Sequence, residues 1–394
     1  MTHSTASELL NTSEAEQDRA GYLHTLREIR QQPATFLDTC ERTLSRAQDL
    51  TRCLQNVQSV VFTGSGSSEY VGDCVRLAIR KSLNLTSRAV GSGTVLTHGS
   101  LTLPPLRPLL LVSLARSGDS PESVGAVQLL LDRDPEVRHL VVTCNASGKL
   151  ATRFERNPRV TVLTLDDRTN DRSLVMTSSF TNMAVAALAL AFLNDREAYR
   201  SLCRELSSAS QHVISARFDP VASVARQKFR RVVFLGSGSA FGAAREAALK
   251  MLEMTAGRVS TISETYLGFR HGPMSYVNPE TLIVCFLSSD PKVRLYETDL
   301  LQELDRKKLG LLKLIAGEKL PRDVLRENDV AIEYPGPETL PDGHASLVHV
   351  IVGQLLAFFR CLEEGLRPDS PSEEGVIHRV VESFQLHTEG ENGY

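Results

Sequence analysis

Tryptophan is absent from the 394 residues, and the seven cysteines never form a CxxC pair. Cys40, Cys53, Cys74, Cys144, Cys203, Cys285 and Cys361 stand far apart. That scatter excludes a written-in disulfide framework or zinc site and fits reduced thiols in the cytoplasm. An excess of one charge sign is also missing: 44 Lys and Arg against 47 Asp and Glu leave a net charge of -3. Such a balance gives no electrostatic footprint for nucleic acid or an anionic membrane. The longest apolar run, Met183 to Leu193, falls short of the ~20 residues that span a bilayer. The opening MTHSTASELLNTSEAEQD is polar and acidic where a signal peptide needs a basic start and an apolar stretch. The expectation is a cytoplasmic protein without a membrane segment and without a nucleic-acid partner.

Hydrophobic residues at 42% and charged residues at 23% are ordinary globular usage, so disordered, collagen-like and coiled-coil readings fail. A chain of this length suggests two domains. Up to residue 54 the sequence is polar and charged, with Tyr22, Leu26, Ile29, Phe36 and Leu37 at helix-like intervals, which reads as docking helices. From Val57 onward, short β-branched runs alternate with amphipathic stretches of helix length, the pattern of βαβ units and a parallel sheet. The spacing predicts strands at 58–64, 109–115, 139–145 and 160–165, then at 231–238, 259–264, 281–289, 310–317 and 329–335. An alanine-rich helix buried on all sides is expected over 182–193. An internal echo organises the chain: VVFTGSGSSEYVGDCVRLAIRK (60–81) and VVFLGSGSAFGAAREAALKMLE (232–253) share strand, Gly-Ser-Gly-Ser turn and helix. It reads as a duplicated domain, although two unrelated doubly wound domains would also each show a strand, a glycine turn and a helix. The boundary is expected within 195–225, near Pro220, and a Pro- and Glu-rich tail after Gly365 is placed to fold over a site.

At the first strand end, Gly66, Ser67 and Ser68 offer backbone amides and hydroxyls at a helix N-terminus, where the dipole favours an anion. The turn lacks the GxxxxGK[ST] of a nucleotide P-loop and fails GxGxxG because Glu69 stands where the last glycine belongs. A second strand end, SLARSGDSPESV (113–124), sets Arg116, Ser117 and Ser120 just ahead of Pro121. This is a phosphate cradle in outline; a serine-rich helix cap without any ligand is the other reading. Ser178 and Ser179 form a third hydroxyl cluster ahead of the buried helix, and as a plain cap they need no ligand. Glu246 and Glu253 lie one heptad apart on an apolar helix. Lys250, four residues after Glu246, gives that carboxylate a surface ion pair, so Glu253 is the stronger candidate. In SETYLGFRHGP (263–273), His271 sits between Arg270 and Gly-Pro, either as a catalytic group or as a solvated loop histidine. His344 and His349 are five apart, which misses metal spacing on a helix, and no HExxH occurs, so no metal is expected.

The strand-GSGSS turn, the ARSGDS cradle and the ALKMLE…RHGP segment together resemble the sugar isomerase (SIS) domain family, in duplicate over about 55–365. LREIRQQP (26–33), RTNDRSLVMTSSFTNM (168–183), REAALKMLEMTAG (245–257) and ETYLGFRHGP (264–273) are more closely similar to the galactosamine-6-phosphate deaminase/isomerase group, also labelled tagatose-6-phosphate ketose/aldose isomerase. The resemblance implies an α/β fold of two tandem SIS domains, each a parallel-sheet αβα sandwich. The divisions are 1–54 (N-terminal helices), 55–205 (phosphosugar-binding domain), 206–365 (domain carrying the catalytic pair) and 366–394 (tail). It reaches the isomerase domains of glucosamine-6-phosphate synthase, where a helix glutamate moves the proton between sugar C1 and C2 and an HGP histidine from the neighbouring subunit opens the ring. Those positions match Glu253 and His271, and imply a homodimer with a shared active site.

The same matching implies Ser68, Arg116, Ser117, Ser120, Ser178 and Ser179 as phosphate and sugar ligands. Gly66, Ser67, Arg270 and Glu382 join them as expected substrate contacts, and Glu264 is expected to orient His271 or bind a sugar hydroxyl. Two departures stand out. Ala115-Arg116 replaces the synthase's serine and glutamine, a pattern shared with the deaminase group. In the tail, GVIHRVVESF (375–384) offers Glu382 where the synthase has a Schiff-base lysine, so covalent catalysis at that position is not expected. His378 stands where the group tends to carry asparagine. No cofactor is expected: ring opening, removal of the C2 proton and delivery of a proton to C1 need one acid-base pair, and an aminosugar then gives a C2 imine that water hydrolyses to ammonia and a ketose phosphate. A non-catalytic phosphosugar sensor, a simple ketose/aldose isomerase and a fructosamine-type deglycase are the alternatives.

Overall fold

Apolar β-branched runs ending in small polar residues form strands whose carboxyl ends open onto loops. The computed structural model describes residues 6–336, 339–372 and 374–387 and shows ten strands. These are β1 (Ser59–Gly64), β2 (Thr86–Gly91), β3 (Leu109–Ala115), β4 (Val137–Thr143), β5 (Val160–Thr164), β6 (Arg231–Gly236), β7 (Ser260–Glu264), β8 (Thr281–Phe286), β9 (Leu312–Gly317) and β10 (Val330–Glu333). They build two five-stranded sheets, ordered β2-β1-β3-β4-β5 and β7-β6-β8-β9-β10, parallel throughout. The two orders are the same, and so is the register: Ser59 pairs with Leu109 in the first sheet as Arg231 pairs with Thr281 in the second. The chain is thus two αβα layers of one design. All nine runs expected as strands are strands. The tenth, β2, was not expected, because TSRAVG is a polar, half-buried edge strand with no apolar run to mark it.

Alternation along each strand sends its two faces to different cores. Val60 and Phe62 of β1, with Val232 and Phe234 of β6, enter one hydrophobic cluster shared by both sheets. Val61 turns to a smaller outer cluster of the first sheet, and Val233 and Leu235 to one of the second. Through the shared core runs helix Asp342–Glu363, packed on helices Ser239–Met254 and Arg196–Ala216. Among the described residues it alone is long and apolar enough to cross a membrane by length and composition, and 94% of its apolar window is buried inside the protein. The sequence reading, which followed unbroken apolar runs, did not mark this helix. Two of its polar residues have inward partners: Gln354 donates to the Thr177 carbonyl at 3.1 Å and accepts from Gln32 at 2.8 Å, and His349 Nε2 lies 3.0 Å from the Tyr334 hydroxyl.

The expected boundary stretch is helix Arg196–Ala216, which packs against the N-terminal helix Leu23–Ser45. The buried alanine-rich helix begins earlier than expected, at Ser178, and ends in a 3-10 turn over Ala189–Phe192. Of the expected segments, residues 1–5 of the N-terminal part and 388–394 of the tail lie outside the described residues. One close crossing matters for the site. Helix Ser239–Met254 passes so near helix Ser67–Leu83 of the first half that a Cβ on Gly242 would lie 2.6 Å from the Cys74 backbone nitrogen. Arg245 locks this crossing: its guanidinium pairs with Asp73, lies 3.6 Å from Glu69 and stacks 4.0 Å from the centre of the Tyr70 ring. The second half's helix is thereby laid over the strand ends of the first.

Candidate active site

A cavity of about 590 Å³ opens at the carboxyl ends of β1 and β3. In an open parallel sheet this crevice, outside the carboxyl ends of adjacent strands, is where ligands bind. Its floor is the turn after β1. Gly66 takes φ 56° and ψ -126°, a conformation costly for any residue with a Cβ, and this turns the chain straight into helix Ser67–Leu83. Ser67 and Ser68, each 5% exposed, face the cavity. The wall is the turn after β3, where Ser117 and Ser120 also face the cavity. Ser120 precedes Pro121 at the start of helix Pro121–Arg133, yet its hydroxyl caps no backbone group of that helix. The turn is braced from behind: Asn145 donates to the Ser117 carbonyl at 2.9 Å and Asp119 accepts from the Lys149 amide at 3.0 Å. Two helix N-termini and four hydroxyls therefore converge, a setting suited to an oxyanion such as phosphate.

Arg116 faces the cavity but is not a free charge. It is 7% exposed and donates to the carbonyls of Ser173 at 3.1 Å, Leu174 at 2.9 Å and Arg379 at 2.5 Å. Burial lowers its pKa, and Asp171 partly opposes this. The guanidinium thus ties the cradle to the tail, whose residues 375–379, 381 and 382 roof the cavity. Arg379 continues the tie, donating to the carbonyl of Asp171 at 2.7 Å and to the side chain of Asn170 at 2.6 Å.

Opposite the cradle, helix Ser239–Met254 presents Glu246, Lys250 and Glu253 in a row. Here the surface reading of Glu246 and Lys250 is overturned. Their side chains are 0% and 1% exposed, because helices Ser67–Leu83 and Asp342–Glu363 cover that face. The Lys250 ammonium lies 3.4 Å from Glu246 and is hydrogen-bonded to Glu253, whose side chain is 23% exposed and reaches the cavity. Burial pushes the Glu246 carboxyl up to about 7, with Lys250 pulling against it. Burial also disfavours the Lys250 charge, yet Glu246 and Glu253 outweigh it and raise the ammonium pKa. Lys250 is the site residue that sequence reasoning missed. Its signal was present: three charges at i, i+4 and i+7 in a stretch, 246–254, otherwise built of Ala, Leu and Met.

Of the other expected residues, all but Glu382 lie outside the cavity lining. Ser178 and Ser179 are outside the cavity lining, and both hydroxyls donate to Asp171, which also accepts the Thr177 and Ser179 amides at 2.7 and 2.9 Å. Asp171 thus caps the start of the buried helix and holds both serine hydroxyls. Glu264 accepts from the Thr265 amide at 2.7 Å, and Arg270 pairs with Glu303 at 2.9 Å, so both side chains are engaged locally. His271 is exposed on the loop after β7 and does not line this chain's own cavity. Glu382 lines it from the tail, 3.6 Å from His378, another lining residue. Among the described residues no three His, Cys, Asp or Glu side chains gather as a metal site.

Buried titratable groups set a stability profile. Burial pushes His139 and His344 down to about 4 and His349 to about 3. Glu28 is pushed up to about 8 by burial and by Asp171, and burial takes Glu297 to about 7, like Glu246. Unfolding exposes all six. The lowered histidines stabilise fully above their ordinary value of 6.5, and this is lost as the pH falls toward 4 to 3. The raised carboxyls stabilise fully below their ordinary 4.5, and this is lost as the pH rises to 7 and 8. Between 4.5 and 6.5 the two trends oppose each other. Urea denaturation across pH is expected to show a shallow maximum there, declining on both sides.

A SIS domain model matches residues 226–340. The D-galactosamine-6-phosphate deaminase AgaS of Shewanella sp. (strain ANA-3) is 35% identical over 376 residues, 93% of this chain and 92% of that protein. The Escherichia coli protein of the same name is 34% identical over 370 residues, 91% of this chain and 94% of its own. The crystal structure of tagatose-6-phosphate ketose/aldose isomerase from Escherichia coli superposes with a TM-score of 0.84 at 31% identity, covering 93% of this chain and 96% of that one. With this identity over nearly the full length of both chains, and with its paired parallel sheets, the chain belongs to the family of the AgaS D-galactosamine-6-phosphate deaminases.

Proposed function

We propose that the chain is an aminosugar-phosphate deaminase/isomerase that converts galactosamine-6-phosphate into tagatose-6-phosphate and ammonia. The observation that carries this reading is the carboxylate of Glu253, held by the buried Lys250, facing the hydroxyl cradle across one cavity. The cradle takes the phosphate, which undergoes no bond change, so its binding energy positions C1 and C2 at the glutamate. Glu253 removes the C2 proton of the open-chain aldehyde, leaving an enolamine, and a proton returns to C1. C1 becomes a hydroxymethyl carbon and C2 an imine. Water adds to the imine carbon, the C–N bond breaks, and ammonia leaves with the ketose carbonyl in place. Lys250 fixes the Glu253 carboxylate and Glu246 anchors Lys250 from behind, while Arg116 holds the roofing tail. The test is ammonia release from galactosamine-6-phosphate and, separately, glucosamine-6-phosphate. Release from the galacto epimer supports the proposal, and tight binding of both sugars without release favours a sensor.

His271 fits this chemistry as a ring-opening group supplied by a second copy of the chain. It is exposed, and four residues before it in the chain is the exposed apolar side chain of Leu267, 49% accessible, suited to a homodimer contact. Mixing inactive Glu253→Gln with impaired His271→Ala protein is expected to restore about a quarter of wild-type activity, because half the dimers are mixed and each has one intact site. If each His271 serves its own chain, mixing restores nothing. The seven thiols, all free and buried, fit a cytoplasmic setting.

A further inference from the structure

The duplication raises a question about the second sheet, whose strand ends should form a second cradle. The turn after β6 keeps the first one's geometry: Gly238 has φ 57° and ψ -120° against 56° and -126° at Gly66. The shared register puts Ser288 and Ser289 after β8 where the first half has Arg116 and Ser117. Arg294 adds a guanidinium, donating to the Ser288 carbonyl at 2.8 Å. Serine hydroxyls, a strand-end amide and an arginine are thus gathered as for an oxyanion, and all of them are satisfied from within the chain. Asp342 accepts from the Ser288 hydroxyl at 2.6 Å and from the amide and hydroxyl of Ser289, both at 2.7 Å. Glu297, 0% exposed, accepts from the Ser288 amide at 2.8 Å. Where the first half starts its helix with the uncommitted hydroxyl of Ser120, the second has Asp290, accepting from the Lys292 amide at 2.8 Å.

We propose that the second sheet retains an oxyanion cradle in which the Asp342 carboxylate stands in for a phosphate, so that each chain holds a sugar phosphate at one sheet only. Three charge-assisted hydrogen bonds on one carboxylate are the contacts a phosphate oxygen would make. The occupant has a structural use. Asp342 begins the helix that runs through the shared core and covers Glu246 and Lys250, so the plugged cradle anchors the wall of the working site.

The test is the full-length chain carrying Asp342→Ala, melted in a titration of inorganic phosphate against chloride at matched ionic strength. Emptying the cradle is expected to make the variant bind phosphate there, raising its melting temperature by on the order of 2 °C more than wild type's. Phosphate bound at the first sheet is common to both proteins and cancels in the difference, so failure here is distinct from failure of the proposed reaction. Equal shifts in the two proteins would overturn the proposal. Calorimetry on the wild type gives a second reading even if the variant does not fold. No more than one phosphate per chain is expected, and two would overturn the plug.

Discussion

Glu253→Gln lowers the turnover number for ammonia release by about a thousandfold while leaving KM within a few-fold of wild type, the scale of losing one positioned acid-base group. The amide keeps the shape of the side chain and can still accept a hydrogen bond from Lys250, so the helix and its buried row stay in place. What it cannot do is take a proton from C2 and return one to C1. The phosphate cradle lies across the cavity on other elements, which is why binding survives. An ammonia assay coupled to glutamate dehydrogenase reads both constants. A variant with near-wild-type turnover would remove Glu253 from the chemistry.

Lys250→Met is expected to destabilise the fold by about 3–5 kcal/mol as well as to stop catalysis, because it removes the ammonium between Glu246 and Glu253 and leaves a charge buried without its partner. The deficit has a pH signature. Without Lys250 the Glu246 carboxyl rises further, so the loss is greatest at alkaline pH and shrinks as the pH falls and Glu246 takes up a proton. Pairing Lys250→Met with Glu246→Leu is expected to return most of the stability and none of the activity, since a buried ion pair replaced by apolar side chains is often neutral for folding. Urea titrations of the single and double variants at two pH values check this.

The two cases show where sequence suffices and where it stops. Both sheets were legible because fully buried strands such as LLLVSLA carry an apolar signal on every residue, and the repeated glycine turn identified the duplication. The edge strand Thr86–Gly91 was not, since its half-exposed residues need no apolar run. Helix Asp342–Glu363 was hidden by His344, His349 and Gln354 inside its apolar stretch; Gln354 and His349 find partners on other elements. Glu246 and Lys250 have the spacing of a surface pair, and only the helices packed over them make the pair buried. Arg116 looked like a charge aimed at phosphate, but the carbonyls it meets come from residues 173, 174 and 379, distant in sequence. Local pattern predicts which residues gather at strand ends, while tertiary neighbours decide which are free to act.

The measurement that tests the central claim most directly is hydrogen exchange at C1. Tagatose-6-phosphate incubated with the protein and ammonium in deuterated water and followed by proton NMR is expected to take up deuterium at C1, because in the reverse direction the glutamate removes a C1 proton from the imine, exchanges it with solvent and returns a deuteron. The uptake is expected to disappear with Glu253→Gln although the sugar phosphate still binds. No uptake by the wild type, or equal uptake by the two proteins, would contradict the account.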